Sequence, residues 1–265
     1  MNSKPIALTI AGSDSGGGAG IQADLKTFAA FQVYGASVIT AITAQNTLGV
    51  RAVEDVSTTI IAAQIKTVLE DLEVNSVKIG MLSNSATIKE VSSHLNSQGS
   101  PSLVLDPVMI AKGGDPLLRM DAVNCLKEEL LPKSTVVTPN SHEATVLSGV
   151  EIATIDDAKE AARVIFSLGP RYVVVKGGHF GSDAVDLLFD GVTFTEFTAP
   201  RVPTPNTHGT GCTFASAICS GLAWNLSVEE AVGDAKSYVF HALKTTFPVG
   251  HGHGPLNHFY HWWQP

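Results

Sequence analysis

Short apolar runs alternate along the chain with longer stretches in which apolar residues recur every three or four positions. An apolar run bounded by turn residues is typical of a buried strand, and the longer period is typical of an amphipathic helix. The predicted strands are residues 6–11, 37–42, 76–79, 103–105, 136–138 and 171–175. The predicted helices are one that carries Ile21, Leu25, Phe28 and Ala29, then residues 59–72, 87–95, 122–131, 142–147 and 156–168, and two more that begin at Gly211 and Ser227. Helices between successive strands imply right-handed crossovers and a mainly parallel sheet.

The pattern changes after Lys176, where two apolar runs flank a two-residue turn. Residues 185–189 and 192–197 lie on either side of Asp190-Gly191, a strong signal for a β-hairpin. The sheet is therefore expected to end in an antiparallel edge. We find no internal repeat and no linker-like tract. The prediction is a single α/β domain over residues 1–265, with a mainly parallel central sheet between two layers of helices.

Composition and charge narrow the range of partners. The chain has 17 basic and 25 acidic side chains, and the net charge of −8 argues against nucleic acid or an anionic membrane. An anionic substrate would have to be held locally, by helix N-termini, a few lysines and a metal ion. No apolar segment is long enough to span a bilayer, and the N-terminus lacks the layout of a signal peptide. Three cysteines do not make a disulfide framework, so the expected location is the reducing cytoplasm.

The most informative motif is Asn-Thr-His-Gly-Thr-Gly-Cys at residues 206–212, directly before an apolar helix. Its glycines and small hydroxyl residues leave backbone N–H groups free at the positive end of the helix dipole, which makes an anion site. Cys212 lies in that turn, so its thiolate is expected to be stabilised and its pKa to fall below that of a free thiol. A phosphate site that contains a potential base suggests transfer of a phosphoryl group.

Polar residues follow almost every predicted strand, at the edge of a parallel sheet where ligands bind. They lie at positions 12–20 and 24, 45–47, 80–81, 106–109, 138–143 and 176–179. Asp106 and Glu143 are the leading candidates for Mg²⁺, which takes one or two carboxylates together with phosphate oxygens. Lys176 ends a buried strand and needs an anionic partner, either nucleotide phosphates or a structural carboxylate.

Other motifs are weaker. The glycine-rich loop at residues 12–20 matches neither a P-loop nor G-x-G-x-x-G, which disfavours a dehydrogenase, and Asp14 stands where a nucleophile elbow has its serine. A tight strand-to-helix turn explains the loop as well as a binding role does. Histidines cluster at residues 251–261, but glycines and aromatic residues separate them. This spacing favours a C-terminal tail docked on the protein over a zinc site.

Taken together, these motifs resemble the ribokinase-like superfamily, and within it the hydroxymethylpyrimidine/phosphomethylpyrimidine kinases of thiamine biosynthesis. The segments that carry the resemblance are residues 11–14, 17–24, 43–47, 78–82, 106–109, 138–140, 176–179, 206–212 and 254–259, with the paired tryptophans at 262–263. They cover nearly the whole chain. Cysteine at position 212 is typical of this branch, where other ribokinase relatives usually have aspartate, whereas Ser15-Gly16 and Ser141 depart from its usual pattern.

The resemblance implies a ribokinase-like fold and an enzyme that uses ATP and Mg²⁺. The reaction would be phosphorylation of 4-amino-5-hydroxymethyl-2-methylpyrimidine, followed by phosphorylation of the monophosphate to the diphosphate. A homodimer formed through strands near residues 37–46 is also implied. Two alternatives remain open: a pyridoxal or pyridoxine kinase, and a nucleotide-sensing protein without catalysis.

The resemblance also assigns residues to the substrate. Gln45 would hydrogen-bond the aminopyrimidine edge, which its amide suits because it offers both a donor and an acceptor. Asp24 and the Gly12 backbone would hold the hydroxymethyl side and the amine. Met81 and Val108 would pack against the ring.

A second set of residues is assigned to phosphoryl transfer. Asn140 and Lys176 would face the ATP phosphates, and Cys212 would stand at the position of the catalytic base. The anion hole would be formed by Gly209, Thr210 and Gly211, with Thr210 and Lys176 also contacting the nucleotide.

Overall fold

A continuous β-sheet passes through the centre of the protein and carries helices on both faces. The computed structural model describes residues 4–95, 101–110, 117–119, 122–177 and 183–263. The strands are β1 (Ile6–Asp14), β2 (Tyr34–Asn46), β3 (Gly49–Asp55), β4 (Ser76–Ile79), β5 (Ser102–Leu105), β6 (Val136–Val137), β7 (Tyr172–Gly177), β8 (Ala184–Phe189) and β9 (Phe194–Ala199). The helices are α1 (Gly20–Ala30), α2 (Thr58–Asp71), α3 (Ser85–Ser93), α4 (Ala122–Glu129), α5 (Ser141–Ser148), α6 (Ile155–Ser167), α7 (Thr210–Ala223) and α8 (Val228–Lys244), with a short 3-10 helix over Leu131–Lys133.

The strands of the described segments form one sheet in the order β3-β2-β1-β4-β5-β6-β7-β8-β9. The six strands from β2 through β1 to β7 pair in parallel, which confirms the mainly parallel sheet. β8 and β9 add the predicted antiparallel edge after β7. The chain starts at β1 and builds outwards on both sides, so β1 lies between β2 and β4. Open α/β sheets bind ligands where the strand order reverses in this way.

The opposite edge of the sheet, formed by β3, is not predicted from the sequence. β3 pairs antiparallel with the end of β2 and extends that strand from residue 42 to Asn46. Most residues of β3 are exposed, and Arg51 and Glu54 interrupt its apolar positions. A strand without a buried face does not alternate between apolar and polar residues. The hydrophobic pattern of the sequence therefore does not predict β3.

Two hydrophobic cores lie on the two faces of the sheet. Helices α2 to α6 cover one face, where Ile61, Ile65 and Ile165 are fully buried. Helices α1, α7 and α8 cover the other, where Phe28 and Ile218 are fully buried. Every residue of α7 from 213 to 223 is buried, so this helix is enclosed on all sides. Its N-terminus is thereby fixed at the carboxyl edge of the sheet.

Within the described segments, no helix combines the length and the apolar character needed to cross a bilayer.

Candidate active site

A cavity of about 1240 Å³ opens at the carboxyl ends of β1, β2, β4, β5 and β7. It is larger than most small-molecule sites and has room for two ligands side by side. The predicted site residues that line it are Gly12, Gln45, Met81, Asp106, Val108, Asn140, Glu143, Lys176, Gly209, Thr210, Gly211 and Cys212. Gly178 and His179, which also belong to the predicted polar set, lie outside the described residues.

Asp24 is the predicted site residue that does not line the cavity. Its fully buried carboxylate accepts two hydrogen bonds of 3.0 Å from Lys78 Nζ. Thr9 Oγ1 and Ser216 Oγ donate two more, at 2.6 and 2.7 Å. Three donor groups make four hydrogen bonds to this carboxylate and occupy its lone pairs. The structure therefore does not place Asp24 at the hydroxymethyl side and the amine, the contact that the resemblance implied. Asp24 instead neutralises Lys78, which is buried yet lines the cavity.

The turn into α7 has the geometry of an anion site. Gly209 is its N-cap residue with φ 80° and ψ 8°, the left-handed conformation that glycine adopts without strain. A Cβ at this position would collide with the carbonyl oxygen of Gly18, so the two glycine-rich segments touch here. Among the described residues no side chain caps this helix end. The Thr210 N–H donates to the Thr207 carbonyl at 3.3 Å. Within the described part of the chain, the N–H groups of Gly211 and Cys212 are left for an anion in the cavity.

Cys212 lies in the first turn of α7, but its thiol does not have the low pKa expected from the sequence. Burial disfavours the thiolate and raises the pKa of Cys212 to about 11. The positive charge of Lys78 favours the thiolate, whereas the carboxylates of Asp24 and Asp106 oppose it. The expectation of a pKa below that of a free thiol is therefore wrong. The helix terminus does not outweigh burial and two nearby carboxylates.

Lys176, at the end of β7, lies between two buried carboxylates. Its Nζ is 2.9 Å from Asp106 Oδ1 and 3.9 Å from Glu143 Oε2. Burial acts to lower the pKa of Lys176, but the two carboxylates hold it above its ordinary value, so the side chain is charged at neutral pH. The sequence predicted either nucleotide phosphates or a structural carboxylate as the partner of Lys176. The structure provides two carboxylates. A Cβ on Gly211 would lie 3.3 Å from Lys176 Nζ, so the ammonium group also borders the turn into α7.

Glu143 and Asn140 form a capping box at the start of α5. Glu143 Oε2 accepts a hydrogen bond of 2.8 Å from the Asn140 backbone N–H, and Asn140 Oδ1 accepts one of 2.9 Å from the Glu143 N–H. Asn140 is exposed and lines the cavity, and within the segments that the structure describes its amide nitrogen remains available as a donor. Burial raises the pKa of Glu143 to about 7, although the charge of Lys176 acts to lower it.

Asp106 and Glu143 fit a magnesium ion that is held together with nucleotide phosphates. The described residues contain no group of three His, Cys, Asp or Glu side chains that could hold a metal. Mg²⁺ keeps several waters and binds through one or two carboxylates plus phosphate oxygens. Two carboxylates on either side of a lysine therefore suit Mg²⁺ only in company with a phosphate ligand.

The Gln45 region of the cavity is shaped by backbone contacts. Ser15 Oγ donates to the Gln45 carbonyl and accepts from the Gln45 N–H, both at 2.8 Å, which fixes the end of β2 against the glycine-rich loop. Gly12 lies at an irregularity of β1, and a Cβ there would lie 3.1 Å from Met81 Sδ. Val108 is half-buried in the same wall. A larger residue at position 12 would narrow this part of the cavity.

Asp14 and His208 line the cavity but were not assigned to the site from the sequence. Asp14 Oδ2 lies 2.9 Å from His208 Nε2 and accepts hydrogen bonds from the N–H groups of Gly18 and Ala19. Burial acts to raise the pKa of Asp14, but these hydrogen bonds outweigh it and hold the pKa below its usual value. Both residues belong to motifs that were recognised, but 194 positions separate them, so only the fold reveals the contact.

Further charged residues of the cavity were also missed. Lys236 Nζ lies 2.8 Å from Asp186 Oδ2, and exposed Arg201 lines the same wall. Lys78 could have been recognised from the sequence, because it lies inside the predicted short strand β4. All four residues of this strand are buried. A lysine in such a strand requires a buried carboxylate, and Asp24 is that partner.

The C-terminal segment is docked on the body of the protein, as its composition predicted. His258 Nε2 lies 2.9 Å from Thr213 Oγ1 on α7, and the Tyr238 hydroxyl donates to the His258 carbonyl at 2.7 Å. Leu256 joins the core formed by α7 and α8. The segment therefore holds the helix whose N-terminus borders the cavity.

Comparisons with known proteins agree with the observed fold. A family model described as phosphomethylpyrimidine kinase matches residues 14–257. A hydroxymethylpyrimidine/phosphomethylpyrimidine kinase of Rhizobium meliloti is 54% identical, over 98% of both chains. A solved phosphomethylpyrimidine kinase of Clostridium difficile is 46% identical with a TM-score of 0.81, and covers 91% of this chain and 100% of its own. An ADP complex of Bacillus subtilis pyridoxal kinase is 41% identical with a TM-score of 0.89, over 97% of this chain and 98% of its own.

These likenesses confirm the ribokinase-like fold expected from the sequence, with helices on both faces of a mainly parallel sheet. They extend over nearly the full chain at identities well above those at which only a fold is shared. The match begins at Asp14 and so includes most of the glycine-rich loop, the ends of β2 to β7 around the cavity and the turn into α7. The chain therefore belongs to the phosphomethylpyrimidine kinase family.

Proposed function

We propose that this protein transfers the γ-phosphoryl group of ATP to 4-amino-5-hydroxymethyl-2-methylpyrimidine, and then a second one to the resulting monophosphate, in thiamine diphosphate biosynthesis. The observation that carries the proposal is a single cavity that contains both an amide able to read a pyrimidine edge and a site for phosphate. Gln45 supplies the amide, and Lys176 with the N-terminus of α7 supplies the phosphate site. The names of the related kinases support the same reaction.

On the substrate side, the Gln45 amide pairs with the aminopyrimidine edge and the Gly12 backbone lies beside the hydroxymethyl group. Met81 and Val108 provide apolar contact for the ring. Asp24 acts beneath the cavity, by holding the charge of Lys78 in place.

On the nucleotide side, Lys176 and Asn140 contact the phosphates, and Gly209, Thr210 and Gly211 stabilise the charge on the transferred group. The alcohol oxygen forms a bond to the γ-phosphorus while the bond to the β,γ-bridging oxygen breaks, so ADP leaves. The alcohol proton passes to Cys212 Sγ. Only the thiolate can accept this proton. Because burial raises the pKa of Cys212 to about 11, the thiol must first lose its own proton to bulk water.

Asp106 and Glu143 would hold Mg²⁺ together with the ATP phosphates. When bound, the ion neutralises charge on the phosphate oxygens. Burial raises the pKa of Glu143 to about 7, and a bound cation would favour its ionised form.

The test is a product analysis with the purified protein. ATP and Mg²⁺ are supplied with the hydroxymethylpyrimidine, with its monophosphate or with pyridoxine, and ADP release is followed with mass spectrometry of the products. We expect the monophosphate and then the diphosphate. Preferential turnover of pyridoxine would favour the alternative activity, to which the likeness to pyridoxal kinases points. Nucleotide binding without ADP release would instead indicate a sensor.

We further propose that the 265 residues act as one domain, that two copies associate through the edge formed by β2 and β3, and that the enzyme is cytoplasmic. Exposed apolar side chains along this edge, Tyr34, Ile42 and Leu48, support the association. Three free cysteines are compatible with a reducing compartment. Light scattering would measure the mass in solution, and Leu48→Glu is expected to favour the monomer.

A further inference from the structure

The Gln45 side chain lies between two neighbours whose own hydrogen bonds restrict what they can offer it. Gln45 Oε1 is placed 3.2 Å from Thr43 Oγ1, and Gln45 Nε2 is placed 3.2 Å from His208 Nε2. All three side chains line the cavity, and the Gln45 backbone is clamped by Ser15. The orientation of this amide decides where the cavity offers a donor and where it offers an acceptor.

The Thr43 hydroxyl has one proton, and that proton is committed elsewhere. Thr43 Oγ1 lies 2.9 Å from the Ser13 carbonyl oxygen, which can only accept. The shorter contact therefore takes the proton, and Thr43 presents lone pairs to Gln45. An amide oxygen at this position would meet another oxygen without a proton between them, whereas an amide N–H would donate to it.

His208 leads to the same conclusion independently. Its Nε2 lies 2.9 Å from Asp14 Oδ2, an acceptor-only carboxylate, so Nε2 must carry a proton. The low pKa of Asp14 keeps that carboxylate ionised. The amide nitrogen of Gln45 would then face an N–H group at 3.2 Å, donor against donor. An amide oxygen at this position would instead accept a share of the His208 proton.

We infer that the Gln45 amide is locked with its nitrogen toward Thr43 and its oxygen toward His208, and that Thr43 and His208 thereby determine which pyrimidine edge the enzyme accepts. A rotation of 180° about the last side-chain bond exchanges the two atoms and satisfies both neighbours without moving another group. Thr43 and His208 are positioning residues that act through Gln45, with Asp14 holding His208.

The lock has a chemical consequence, which rests on the proposed pyrimidine kinase function. The free N–H of Gln45 lies on the Thr43 side and the free lone pair lies on the His208 side. An aminopyrimidine edge fits with its ring nitrogen toward Thr43 and its exocyclic amine toward His208. The 4-oxo analogue presents a ring N–H and an exocyclic oxygen, the reverse pattern, which a locked amide rejects and a free amide can match by rotating.

The test compares the two pyrimidine alcohols as substrates. We measure the ratio of kcat/KM for the 4-amino compound to kcat/KM for its 4-oxo analogue. Thr43→Val leaves the amide nitrogen unheld and is expected to lower this ratio on the order of tenfold, mostly through the KM values. Thr43→Ser keeps the hydroxyl and is expected to keep the wild-type ratio. Both substrates meet the same enzyme, so a loss of folded protein cancels in the ratio.

Gln45→Ala provides the control for coupling. When Thr43→Val is added to Gln45→Ala, the ratio of the two kcat/KM values should not change further. An unchanged ratio in Thr43→Val, or equal ratios in the Val and Ser variants, would overturn the inference. Neutron diffraction from the substrate-free wild-type protein reads the amide directly, and deuterium on the atom facing His208 would also overturn it. If the wild type phosphorylates neither pyrimidine, the proposed function fails, while the neutron result still decides the amide orientation.

Discussion

At the scale of single residues, the proposed chemistry depends most on Cys212. With a pKa of about 11 its thiol is almost wholly protonated at neutral pH, and the ionised fraction rises tenfold with each pH unit below the pKa. If the thiolate is the base for the alcohol, kcat for the first transfer should rise between pH 7 and pH 9. Cys212→Ser should remove that rise and lower kcat on the order of a hundredfold or more. A pH–rate series at saturating substrates measures both effects.

The second transfer supplies an internal control. Its acceptor is a phosphate monoester, which is mostly a dianion at pH 7 and has no proton to lose. Cys212→Ser should therefore reduce the first transfer much more than the second. Near-wild-type turnover of the alcohol by Cys212→Ala would reduce Cys212 to a packing role.

Asp24 and Lys78 allow a second prediction at this scale. Both are fully buried at 3.0 Å, and removal of one partner leaves an uncompensated charge in the core. Lys78→Met is expected to lower the free energy of unfolding by about 3–5 kcal/mol. Adding Asp24→Asn should recover part of that loss, because the orphaned carboxylate is then neutral. Urea unfolding of the two variants measures the difference.

The exposed pair Arg163–Glu160 is the matched control for this prediction. Its atoms are 3.1 Å apart and both side chains are more than half exposed. Arg163→Ala should cost no more than about 1 kcal/mol. Equal losses at the two pairs would mean that burial does not decide the cost, and the interpretation of Asp24 as a structural counter-charge would be wrong.

At the scale of elements, the N-terminus of α7 can be tested with two glycines of almost the same backbone conformation. Gly209 has φ 80° and lies against the Gly18 carbonyl, whereas Gly149, at the end of α5, has φ 79° and open space around it. Gly149→Ala should cost only the left-handed strain, about 1–2 kcal/mol. Gly209→Ala should cost more and should also lower kcat, because the turn must move away from the glycine-rich loop. Urea unfolding and ADP release from both variants measure the two effects, and equal effects would contradict the anion-site geometry.

How far elements could be predicted depended on whether they have a buried face. The parallel strands and the helices between them were found because burial on one or two faces leaves a period in the sequence. β3 was missed because most of its residues are exposed. The end of β2 was missed because Ala44, Gln45 and Asn46 pair only with β3. The turn into α7 was recognised because glycines, a hydroxyl residue and an apolar helix occur together.

At the scale of the whole molecule, what could not be predicted is how polar groups from distant positions satisfy one another. Lys176 was known to need an anion, but the choice of Asp106 and Glu143 required the order of β5, β6 and β7. The resemblance placed Asp24 at the substrate, yet three side chains from separate elements hold its carboxylate below the surface of the cavity. The prediction of a low pKa for Cys212 was wrong for a similar reason, because a local sequence motif carries no information on burial.

Burial of the C-terminal segment gives the protein a pH-dependent stability. Burial lowers the pKa of His258 to about 4, helped by the charge of Lys26, against 6.5 for an unburied histidine. Between these values the unfolded chain binds a proton that the folded chain does not, so stability falls as the pH falls from 6.5 to 4. From pH 7 to pH 5 the loss from this residue is about 2 kcal/mol. His258→Gln, which can still hydrogen-bond Thr213, should therefore show a smaller decrease in unfolding free energy over this interval than the wild type. His241→Gln, at an exposed position on α8, is the control, and equal pH slopes in all three proteins would show that His258 is not held neutral by its burial.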